Sequence, residues 1–137
     1  MDERGRDELA VAVLREALPD LVAVYRFGSS VLEGTPRPES DLDFAVLARR
    51  PFDAVTRFDL QERLASALGR TVDLVDLRTA SPVMAMQVVA GGRVLHEGDG
   101  AERGRFEDLA YSRYARLNEE RRGILERIAR EGTVYGR

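Results

Sequence analysis

The chain has 137 residues, 44% of them apolar and 33% charged, which is enough core-forming material for one compact domain (1–137) and too little length for two. Its net charge is −3, with acids and arginines interspersed, so neither a nucleic-acid-coating protein nor a membrane-surface protein is expected. It contains no cysteine, and all 21 basic residues are arginine, which excludes disulfides, thiolate chemistry, sulfur-bound zinc, a P-loop lysine and Schiff bases.

The opening segment MDERGRDELA is charged, without the apolar stretch of a signal sequence, and no window approaches the roughly 18 apolar residues of a membrane span. A cytoplasmic location is expected. Leu9, Val13, Leu14 and Leu18 recur at helical spacing, predicting a helix over Asp7 to Leu18 that Pro19 ends. LVAVYRF, Leu21 to Phe27, reads as a strand stopped by Gly28, and Leu42 to Leu47 as its neighbour after the proline-bearing loop Thr35 to Ser40. Phe52 to Leu68 returns to a period near 3.6, with Gly69 as its C-cap.

Thr71 to Leu77 predicts a third strand. Ser81 and Pro82 open a short helix that closes near Gly91. RVLHEG fits a brief edge strand, and Phe106 to about Ile128, within an outer span of about 104–130, a charged amphipathic helix. This order predicts an α+β fold: a small mixed sheet of three to four strands with packed helices and a core over about 20–98. The pattern does not yield its topology.

Asp41 and Asp43 stand two apart at the mouth of an apolar strand, so both side chains leave one face while Leu42 and Phe44 enter the core. Adjacent carboxylates beside buried surface repel unless a cation lies between them. Hard oxygen ligands in such a pair suit magnesium, which keeps several waters and takes substrate phosphates. Gly28 and Ser29 follow the first strand directly, where a missing side chain lets backbone approach a phosphate and a hydroxyl can donate. Ser30 to Glu33, if helical, would add free N–H groups. A two-metal site with ions about 4 Å apart calls for a third acid. Asp73 and Asp76 have opposite parity on their strand, so only one can face the site. Asp73, in mid-strand, is the choice; Asp76 near the strand end reads as solvated or capping.

Gly-Ser, a gap and Asp-x-Asp resemble the signature of the nucleotidyltransferase superfamily that includes polymerase beta. The short length and VDLVDLRTASPVMAMQVVAGGRVLHEGD are similar to the minimal nucleotidyltransferase antitoxins paired with HEPN-domain ribonuclease toxins, over about Tyr25 to Asp99. That resemblance implies a polymerase-beta-like fold and transfer of AMP from Mg-ATP to a toxin tyrosine, with the toxin as partner in a hetero-oligomer. It implies that Asp41 and Asp43 bind both magnesium ions and that Asp73 binds one and helps take the tyrosine proton. Gly28, Ser29 and Ser30 would lie on the nucleotide phosphates. Two departures stand out. Eleven residues separate Ser29 from Asp41 where about ten is usual, and Ser30 replaces an arginine common in relatives. Arg26 or Arg37 would supply the missing cation.

Other residues read more plainly: His96 as packing or surface, Met84 and Met86 as core filler, and Tyr111 and Tyr114 as packing or partner-binding residues. Arg113, Arg116, Arg121 and Arg122 read as a solvated or partner-facing surface. The competing functions are an antitoxin that only binds its toxin, a nucleotidyltransferase with a small-molecule acceptor, and a structural calcium site.

Overall fold

Capping side chains move the ends of the first and last helices outward from where apolar periodicity places them. The computed structural model describes residues 1–28 and 41–131. Helix α1 (Glu3–Ala17) starts before the expected Asp7 because the Asp2 carboxylate accepts the Gly5 N–H at 2.8 Å. Strands β1 (Leu21–Phe27) and β2 (Leu42–Ala48) follow the two apolar runs. Helix α2 (Ala54–Leu68) starts at the Asp53 cap, two residues after the expected Phe52, and closes on Gly69, which takes the left-handed φ of 66°.

Strand β3 (Val72–Asp76) lies within the expected run, and Ser81 caps helix α3 (Pro82–Gly91) by accepting the Met84 N–H at 3.1 Å. Gly91 is that helix's last residue; the capping N–H is that of Gly92. Edge strand β4 (Arg93–Glu97) precedes helix α4 (Gly100–Glu131). The Asp99 carboxylate accepts the Glu102 N–H at 3.1 Å, so α4 begins earlier than the expected Phe106.

The sheet order is β3-β2-β1-β4, with β1 antiparallel to both neighbours and β3 parallel to β2. Two apolar clusters sandwich it. Val24, Phe44, Val46 and Leu74 meet Leu14 of α1 and Leu60 and Leu64 of α2 on one face. Tyr25, Ala45 and Leu47 meet Ala85 and Val88 of α3 and Phe106 and Ala110 of α4 on the other. The central strands β1 and β2 are covered on both faces, which is why they read as nearly continuous apolar runs rather than alternating ones.

Ion pairs fasten the helices to this sheet. Arg26 is only 1% exposed, and its guanidinium meets Glu3 at 2.7 Å and Asp7 at 3.1 Å on α1. A buried guanidinium needs such partners. On the opposite face the Tyr25 hydroxyl donates to Glu107 at 2.7 Å, and Arg103 bridges Glu97 (3.0 Å) and Glu107 (2.9 Å). These contacts seat the first turns of α4, a helix about 48 Å long at 1.5 Å per residue. Farther along it, Ile124 and Leu125 are exposed.

Candidate active site

Asp41 lies exposed just before β2, and Asp43 is half-buried one residue into it. Leu42 and Phe44 enter the α1/α2 cluster, so Asp43 leaves the sheet on the face of Ala45 and Leu47, toward α3 and α4. The parallel register of β2 and β3 sets Asp43 directly beside Asp73, which is exposed in mid-strand. Burial pushes the Asp43 carboxyl up to about 6, and the charges of Asp73 and then Asp41 push it the same way. Three acids thus share one end of the sheet. Among the described residues, no three acidic or histidine side chains close into a finished metal cage.

Gly28 ends β1 across from this cluster, because Phe27 pairs with Asp43 in the β1–β2 register. Its φ of 90° disfavours any side chain, and a Cβ there would overlap the Asp43 carboxylate. The glycine therefore brings bare backbone against the acids. Ser29, Ser30 and Arg37 lie outside the described residues.

For Asp76, expected to be solvated or capping, the structure decides between the two. It stands beside Val46 in the register, only 4% exposed, and its carboxylate accepts the backbone N–H groups of Phe52 (3.1 Å) and Arg78 (3.0 Å). Its capping role is observed; its solvation is not. Three residues of strand separate it from Asp73, roughly 10 Å. Arg26 is likewise corrected as a phosphate-binding cation, since it shares the α1 face with Phe44, opposite Asp43.

An apolar cleft of about 580 Å³ adjoins Gly28, walled by Phe27, Val83, Met86, Gln87 and Tyr114. Val83, Met86 and Gln87 share one face of α3 at i, i+3 and i+4, and Tyr114 reaches over from α4. Met86 is therefore a cleft wall rather than core filler, while Met84 packs against the α3/α4 cluster as expected. Sequence reasoning did not single out Gln87, which lines this cleft. The one signal for it was an amide interrupting the apolar face of a short helix. His96, half-buried on β4, pairs with Val24, and burial and the nearby Arg15 hold its pKa below the usual value.

Residues 11–101 match the family model described as Polymerase beta, Nucleotidyltransferase. The chain belongs to the polymerase beta nucleotidyltransferase family. A curated relative, the protein adenylyltransferase MntA of Shewanella oneidensis, is 41% identical over 118 residues, 86% of this chain and 84% of the relative. Among solved structures, a toxin-antitoxin with AMP-PNP superposes with a TM-score of 0.80 at 39% identity, covering 90% of this chain and 98% of that one. A complex of tri-AMPylated Shewanella oneidensis HEPN toxin with MNT antitoxin gives 0.75 at 36% identity, covering 90% and 96%. The nucleotidyltransferase fold expected from the sequence is the one observed, with four helices on a four-stranded mixed sheet among the described residues. A nucleotide substrate comes with the family. No described helix of this nucleotidyltransferase is long and apolar enough to cross a membrane.

Proposed function

We propose that the chain is a single-domain antitoxin of the HEPN/MNT kind, a protein adenylyltransferase that moves AMP from Mg-ATP onto a tyrosine of its cognate HEPN ribonuclease toxin. The reading rests on the Asp43 carboxylate, raised to about 6 beside Asp73 and Asp41 and faced by Gly28 backbone, in a chain of this family. Hard oxygen donors crowded in this way fit magnesium. Asp41 and Asp43 would hold two such ions, with Asp73 on one of them. Bound there, magnesium supplies charge neutralisation for the triphosphate and activation of the acceptor oxygen.

The protein's own groups then do the positioning. Gly28 backbone would lie against the phosphates, and Ser29 and Ser30, outside the described residues, would supply further donors. A tyrosine hydroxyl has a pKa of about 10, so it attacks poorly at neutral pH without a base. Asp73, exposed beside Asp43, accepts its proton as the new bond to the α-phosphorus forms. The α–β anhydride bond breaks and pyrophosphate leaves. The modified tyrosine carries a bulky anionic group that silences the toxin. Absence of cysteine suits a reducing cytoplasm, where such a toxin works.

Co-expression with the candidate toxin tests this reading. The parent chain is expected to protect cells and an Asp41→Asn/Asp43→Asn variant to fail while still binding toxin. Protection by that variant would instead identify an antitoxin that acts by contact alone.

A further inference from the structure

We propose that Gln61 on α2, braced by Arg57, is a positioning residue for AMP transfer: it ties down the peptide that follows Asp73 and so fixes where that carboxylate stands beside Asp43. This rests on the reading that Asp73 holds a metal ion and accepts the tyrosine proton. β3 is an edge strand, with β2 on one side and no strand among the described residues on the other. The Leu42 N–H donates to the Thr71 carbonyl at 2.9 Å, and the Leu77 N–H to the Val46 carbonyl at 3.0 Å. Strand alternation then turns the backbone groups of Asp73 and Val75 toward β2 and those of Leu74 away from it.

Leu74 is only 1% exposed, so its outward N–H and C=O need partners other than bulk water. Two side chains of α2 supply them. The Gln61 Oε1 accepts the Leu74 N–H at 2.9 Å, and the Arg57 guanidinium donates to that same oxygen at 3.3 Å and to the Leu74 carbonyl at 3.5 Å. Arg57 and Gln61 stand at i and i+4, both half-buried, and offer a donor and an acceptor as a further strand would. The peptide joining Asp73 to Leu74 is planar, so its C=O, turned to β2, and its N–H, held by Gln61, move together. Asp73 is itself exposed, and its backbone rather than side-chain packing sets its position. A tilt of that peptide would swing the Asp73 Cα–Cβ bond relative to Asp43, its partner in the register. Gln61 thus acts through main chain, without touching substrate, in the manner of the outer groups that orient metal-binding side chains.

The test uses the full chain and two variants. Gln61→Met keeps the side chain's length and loses the acceptor, while Gln61→Glu keeps an acceptor oxygen and its pairing with Arg57. Hydrogen exchange at the Leu74 amide is followed by NMR, and manganese affinity by EPR with a non-hydrolysable ATP analogue, both without toxin; kcat and KM for AMP transfer follow. Gln61→Met is expected to speed exchange at Leu74, weaken manganese binding roughly tenfold and lower kcat by a similar factor with the KM for toxin unchanged. Gln61→Glu is expected to restore all of these toward parental values. In an Asp73→Asn background, Gln61→Met is expected to weaken manganese binding no further, because its effect passes through Asp73. Faster exchange at Leu74 with parental manganese affinity and kcat would overturn the proposal, leaving a bond that only seals the sheet edge. A further loss in the Asp73→Asn background, or a defect that Gln61→Glu does not relieve, would overturn it too. Should Gln61→Met not fold, Gln61→Asn, whose amide is one methylene short of Leu74, replaces it under the same criteria. A parent chain whose manganese affinity depends on Gln61 in this way but which never modifies the toxin would leave the positioning role standing and refute the proposed reaction.

Discussion

Asp43 sits where burial and charge both oppose its ionisation, so the metal-free protein carries a pH-dependent cost at this residue. Its pKa rises from 3.8 to about 6 on folding. The protonated form is favoured in the folded state, so this contribution to stability is fully present below about pH 4 and lost as pH rises through 6. Asp43→Asn should therefore melt higher than the parent at pH 7.5 in chelator, the gap closing toward pH 4. A pH-independent difference would contradict the electrostatic account. Gly28 makes a second prediction. Alanine there meets both an unfavourable left-handed φ, costing roughly 1–2 kcal/mol, and the Asp43 carboxylate. Gly28→Ala should lower the melting temperature and cut AMP transfer by roughly a hundredfold, since small displacements of reacting groups are that costly. The spacing of Asp41, Asp43 and Gly28 was legible in the sequence because strand parity and glycine chemistry are local. The cleft was not, because Tyr114 arrives from a distant helix.

At the scale of the element, β3 holds two acids with separate duties. Asp76→Ala would strand the N–H groups of Phe52 and Arg78 and should cost about 2–3 kcal/mol in urea denaturation, with Mg-ATP affinity unchanged. Asp73→Asn should do the reverse, abolishing transfer with stability kept or raised. Equal stability losses in the two variants would refute this division. Strand alternation separated the two residues correctly, yet position near a strand end did not reveal that the chain from Phe52 folds back over Asp76. Helix α4 depends on the Tyr25 hydroxyl in a similar way. Tyr25→Phe removes its bond to Glu107 and should cost about 1 kcal/mol, read from the same denaturation curve. The early start of α4 was available in principle from Asp99, whose capping chemistry precedes the apolar stripe; the same holds for Asp2 and α1.

Taken as a whole molecule, the chain shows which levels of structure are written locally. Element order and type followed from periodicity and punctuation, because those signals lie within a few residues of their effect. The sheet order did not, because placing β1 between β2 and β4 and laying β3 parallel to β2 depends on contacts far apart in sequence. That arrangement is also what unites the site: antiparallel pairing brings Gly28 to the Asp43 end of β2, and parallel pairing brings Asp73 beside it. The most direct measurement incubates the purified chain with a candidate HEPN toxin, magnesium and ATP, and follows intact toxin mass and peptide maps. The account predicts gain of one or more adenylyl groups on tyrosine, dependent on Asp41, Asp43 and Asp73, with loss of RNase activity. An unmodified toxin that is nonetheless inhibited would contradict it.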